Sequence, residues 1–116
     1  MPTYIAYGKF TPAAIRGMTE NPEDRTQPVA QLFEALGAKL LSWHITLGCA
    51  DFDWLLMVEA PSEDIVVSAA IAPWSGGSSV EIRVALALDG AQSKAMFRKS
   101  ADAVRRFKPG GINKTT

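Results

Sequence analysis

The pattern of apolar and polar positions, with the caps and breakers between them, predicts four strands and four helices along the chain. Thr3 to Lys9 is rich in β-branched and aromatic residues, which predicts a first strand. From Lys39 to Leu47 the residues Leu41, Trp43, Ile45 and Leu47 fall on one face, against Leu40, Ser42, His44 and Thr46 on the other. From Asp53 to Ala60, Trp54, Leu56 and Val58 alternate with Leu55, Met57 and Glu59. Gly48 to Phe52 joins these two strands as a hairpin. The last strand, Ser79 to Leu88, sets Val80, Ile82, Val84 and Leu86 against Glu81, Arg83 and Ala85.

The helical stretches lie between and after these strands. Thr11 before Pro12 reads as an N-cap with proline at the first helical position, and Gly17 and Asn21-Pro22 end a short helix. Val29, Leu32, Phe33 and Leu36 recur at i, i+3, i+4 and i+7, and Gly37 stands where a left-handed C-terminal cap belongs. Asn21 and Thr26 are alternative starts for this second helix, with Pro28 predicting a kink or a restart. Ser62, followed by Glu63 and Asp64, caps a third helix that runs to about Pro73-Trp74. From Ser93 to Phe107 a fourth helix carries Met96, Phe97, Ala101, Val104 and Phe107 on one stripe and Lys94, Arg98, Lys99, Arg105 and Arg106 opposite.

Strand, helix, strand, strand, helix, strand is the order of an α+β, ferredoxin-like βαββαβ sandwich, here with an extra C-terminal helix. One domain over residues 1–108 and a flexible tail over 109–116 are expected. Helices on one face of the sheet leave the other with Leu40, Leu55, Met57 and Ala85, more apolar surface than a small monomer exposes. A homodimer or larger even oligomer follows as the expectation.

Composition changes this picture little. Twelve basic residues balance twelve acidic ones, and 47% of the 116 residues are hydrophobic. No apolar run approaches a membrane span, and the one cysteine fits a reducing, cytoplasmic setting. The charge is unevenly spread, however. From Ala91 onward seven basic residues meet one acidic, a charge of +6, which leaves −6 on the first ninety residues. A nucleic-acid groove would interleave aromatics with the basic residues, whereas here they occupy the opposite stripe. A membrane-lying helix would want a larger apolar face. Cations near a helix C-terminus also complement the helix dipole. Neither nucleic acid nor membrane is therefore an expected partner.

Candidate chemistry concentrates on the polar phase of the sheet: Ser42, His44 and Thr46, then Glu59, then Glu81 and Arg83. Charges there must be exposed, paired across an interface, or lining a cavity. Such a set can hold a small polar or anionic ligand, with His44 and Glu59 as candidates for proton transfer, or can simply satisfy itself. One histidine and one cysteine are too few for an expected metal site, even with Asp51 and Asp53 beside Cys49, and no cofactor is expected. Acids near Cys49 argue against a reactive thiolate.

Gly8-Lys9-Phe10-Thr11, Ile15-Arg16, Leu36-Gly37, Thr46-Leu47-Gly48 and Val58-Glu59-Ala60-Pro61, in this order and spacing, resemble the GYD family of small bacterial and archaeal proteins. The resemblance implies a dimeric α/β barrel in which two ferredoxin-like sheets pack face to face. The family's Gly-Tyr-Asp stands here as Asp51-Phe52-Asp53, so the ring is kept without its hydroxyl and only Asp53 carries over.

Three functions remain open at this level: a homodimer binding a small molecule in its sheet-to-sheet cavity; a cofactor-independent monooxygenase or isomerase with His44 as base, Glu59 orienting it and Arg83 holding an anion; and a purely structural dimer. His44, Glu59 and Arg83 are expected on one face of the sheet, approaching the dimer cavity.

Overall fold

The computed structural model describes residues 1–108 and 110–111. Four antiparallel strands, β1 (Thr3–Phe10), β2 (Lys39–Ile45), β3 (Trp54–Glu59) and β4 (Ser79–Ala87), form one sheet in the order β2-β3-β1-β4. Helices α1 (Pro12–Glu20), α2 (Thr26–Ala35) and α3 (Glu63–Ser75) join them, and α4 (Gly90–Arg106) follows β4. This is the ferredoxin-like α+β arrangement with its extra helix. The core forms where Tyr4, Ala6, Trp54, Leu56 and Val58 meet Phe33 of α2 and Val66 and Ala69 of α3. Gly8 is needed in this layer, because a Cβ there would stand 2.8 Å from Cζ2 of the Trp54 ring.

Local chemistry sets the helix ends. The Thr11 hydroxyl accepts the Ala14 N–H at 3.2 Å, as a cap ahead of Pro12 should. The second helix restarts at Thr26, since the Asp24 carboxylate accepts both the Thr26 hydroxyl and its N–H, at 2.7 and 2.9 Å. Those two bonds, the hydroxyl's first, hold the Asp24 carboxyl below its ordinary pKa. Pro28 thus falls in the first turn of the restarted helix, where no intrahelical donor is required. Gly37 takes φ +79° at the end of the helix, the left-handed value its position predicts.

Two bulges revise the expected faces. In β2, Leu40 stands opposite Val58 and Ser42 opposite Met57, so Leu41 is the extra residue. Leu40 therefore packs against the helix-side core rather than the open face. In β4 the register slips: Arg83 faces Tyr7 but Val80 faces Lys9, and Glu81 adopts φ +52°. Val80 turns to the open side and Ser79 is buried in its place. Strict alternation cannot announce an inserted residue. Thr46 and Leu47 also fall outside β2, in the connection to β3.

The fourth helix starts at Gly90, three residues earlier than its apolar stripe suggests. Asp89 and Gln92 explain this, since each side chain accepts the other's N–H, at 2.8 and 2.9 Å. This helix projects from the body and gives the molecule its 62 Å length against 30 and 23 Å. The expected tail lies largely outside the described residues, which include only Gly110 and Gly111 of it, in a turn.

Candidate functional site on the open face of the sheet

Residues directly opposite one another across paired strands share a face. On the side away from the helices, the register sets out three rows. His44, Leu55, Tyr7 and Arg83 form the first; Ser42, Met57, Ile5 and Ala85 the second; Lys39, Glu59, Thr3 and Ala87 the third. The middle of this face is apolar and half-buried, at Ile5, Tyr7, Leu55 and Met57. Its polar groups sit toward the edges, with His44 on β2 and Arg83 on β4, both exposed.

Ser42, His44, Glu59 and Arg83 thus share the face, but one protomer does not gather them. Glu59 lies four positions along β3 from the partner of His44, ~13 Å at the usual rise per residue. Arg83 is three strands from His44, ~14 Å at the usual strand spacing. Glu81 does not join them. At the bulge, its carboxylate lies 3.9 Å from Lys9 Nζ, a surface ion pair of small energetic weight. The Thr46 hydroxyl is also committed elsewhere, donating to the Phe52 carbonyl at 2.9 Å.

The Asp51-Phe52-Asp53 segment closes one end of this face. The Phe52 ring packs on Tyr7 with centroids 5.1 Å apart. Asp53 is occupied by backbone contacts. Its Oδ2 accepts the Phe10 N–H at 2.9 Å. Its own N–H donates to the Gly8 carbonyl, and its carbonyl accepts from Thr46 N–H, both at 2.8 Å. These bonds pin the β2–β3 connection to the end of β1 beside the bulge. Asp51 is exposed, and among the described residues no three His, Cys, Asp or Glu side chains gather as metal ligands.

Two features escaped the sequence. Tyr7 is central to the first row, and its alternation with Ile5 along β1 was the available signal. The second is a groove of about 480 Å³ on the helix side, bordered by α1, α2 and the Trp43–Trp54 pair, whose rings lie 5.6 Å apart. Trp54 Nε1 is buried there without a hydrogen-bond partner among the described residues. The Trp43 and Trp54 rings thus belong to the helix-side layer, whereas Trp74 is exposed on α3.

Comparison with known proteins agrees with this architecture. Among curated proteins none matches the chain. Among solved structures, 5-chloro-2-hydroxyhydroquinone dehydrochlorinase (TftG) from Burkholderia phenoliruptrix AC1100, in complex with 2,5-dihydroxybenzoquinone, is similar in fold, with a TM-score of 0.54 and 21% identity. The likeness covers 77% of this chain and 96% of that one. The family model for the GYD domain matches residues 4–96, from the first core tyrosine into α4. The chain belongs to the GYD domain family.

Proposed function

We propose that the protein binds a small polar or anionic molecule between the open sheet faces of a homodimer. The observation that carries this reading is the face itself: an apolar centre of Ile5, Tyr7, Leu55 and Met57, uncovered by any helix among the described residues and edged by His44 and Arg83. A second copy is the natural cover, since paired sheets bury such faces. A two-fold axis along the strands keeps each row and exchanges its ends, which lays His44 over Arg83 of the second copy. An Arg83 guanidinium beside a His44 imidazole at each end of an apolar row suits a flat ring carrying acidic oxygens. The dihydroxybenzoquinone in the TftG complex is a small ring bearing hydroxyl and carbonyl oxygens, which supports this choice of ligand class. With Glu59 ~13 Å away along the sheet, His44 has no orienting carboxylate among the described residues of its own chain, which favours binding over catalysis. The lone Cys49 suits a cytoplasmic setting, and no helix among the described residues is long and apolar enough to cross a membrane.

Native mass spectrometry of the protein as expressed tests the reading. The expected spectrum shows an even oligomer retaining a small adduct that Arg83→Ala loses. A ligand-free monomer would overturn it. The unpartnered Trp54 Nε1 favours a second reading, in which the ligand enters the groove under α1 and α2. In that case Ala14→Trp, which fills this groove, abolishes the adduct and Arg83→Ala does not.

A further inference from the structure

α3 is apolar nearly all round, yet only one side of it is buried. Val66 and Ala69 face the core, while Val67, Ile71 and Trp74, at i, i+4 and i+7, are 46%, 53% and 65% exposed. A helix of this kind is normally covered on both sides. Its outer stripe lines a groove of about 480 Å³ shared with Ile82 and Val84 of β4, with Glu63, Glu81 and Arg83 as its charged groups. The opposite situation holds in α4. Phe97, Ala101 and Val104 repeat the i, i+4, i+7 spacing, Phe97 is 78% exposed, and among the described residues the helix has no substantial packing against any other element. Seven residues span ~10.5 Å in either helix, so the two stripes match in length.

Charge points the same way. The segment from Ala91 onward is +6 and the rest of the chain −6. Arg105 and Arg106 share Asp102 at 3.1 and 3.2 Å, while among the described residues Lys94, Arg98 and Lys99 meet no carboxylate. The Asp89–Gln92 box fixes a two-residue link that leads α4 away from its own sheet. We propose that α4 of one chain docks along the groove between α3 and β4 of a second copy, stripe against stripe, its cations meeting that copy's acidic surface. This contact is centred on the outer stripe of α3 and meets the open face of the sheet only at Arg83, on the β4 edge.

Crosslinking between two singly labelled chains tests it. In a Cys49→Ser background, chains carrying Phe97→Cys and chains carrying Ile71→Cys are mixed and treated with a short bismaleimide. The expected product is a covalent pair containing one chain of each kind, with a yield that molar salt and Lys94→Glu/Arg98→Glu each reduce about threefold, the scale of a few exposed ion pairs. The product persists with Met57→Glu added, because that residue lies on the other face. No mixed product would overturn the proposal, as would its loss with Met57→Glu. Placing both cysteines in one chain and obtaining only a looped monomer at every concentration would assign the stripe to its own groove and overturn it too. So would binding of the full chain to anionic phospholipid vesicles without a mixed crosslink.

Discussion

The two faces of the sheet are built from the same strands, residue by residue in alternation, yet they end in different states. Facing the helices, Val58 is fully buried and Trp54, Leu56 and Ala6 nearly so. Facing away, Leu55, Met57 and Ile5 are as apolar but only half-buried. Period-two patterning makes two apolar surfaces, and three helices on one side cover only one of them. The finished face holds the chain together. The unfinished one is the candidate interface and, at its His44 and Arg83 ends, the candidate site.

Neighbouring leucines break this comparison most sharply. Leu56→Ala leaves a hole in a closed core and is expected to cost about 2–5 kcal/mol in chemical denaturation, at any protein concentration. Leu55→Ala is expected to lower stability only where the protein is concentrated enough to self-associate. An equal, concentration-independent loss in both would erase the distinction between the faces. Gly8→Ala is next, at about 1–3 kcal/mol, since the added methyl meets the buried Trp54 ring. Asp53→Ala strips the Phe10 N–H of its acceptor at the bulge and is expected to cost about 1–3 kcal/mol, with Asp53→Asn recovering part of it. Thermal melts rank these variants.

The smallest effect is at Asp24. Its carboxyl titrates below its ordinary value because the folded chain bonds the ionised form. That contribution is present above the unfolded value and disappears as pH falls through the folded one. Asp24→Ala is therefore expected to melt slightly earlier than the parent near neutrality and to coincide with it in acid. A gap that persists in acid would remove the carboxylate from the account.

The order of elements along the chain, the alternating face of β3 and the caps at Thr11 and Gly37 were legible because each rests on a local rule: alternation, 3.6-residue spacing, or a residue suited to one dihedral. The placements of Leu40, Val80 and Glu81 were not, because Leu41 and Glu81 are bulged residues, and an inserted residue flips every side chain beyond it without leaving a mark on composition. Register also decided the candidate site. Phase put His44, Glu59 and Arg83 on one face, but phase carries no information about row, and they stand in different rows or at opposite edges. The triplet at 51–53 was readable as a family mark, while the bond from Phe10 N–H to Asp53 links residues 43 apart in sequence and needs the fold to appear.

Light scattering on the parent and on Met57→Glu tests the central claim, that the open face is an interface, most directly. At micromolar concentration the parent is expected at an even multiple of the 12.5 kDa chain mass, and Met57→Glu at half the parent's mass with its fold intact by circular dichroism. A parent that scatters as a 12.5 kDa monomer, or an oligomer whose mass Met57→Glu leaves unchanged, would contradict it.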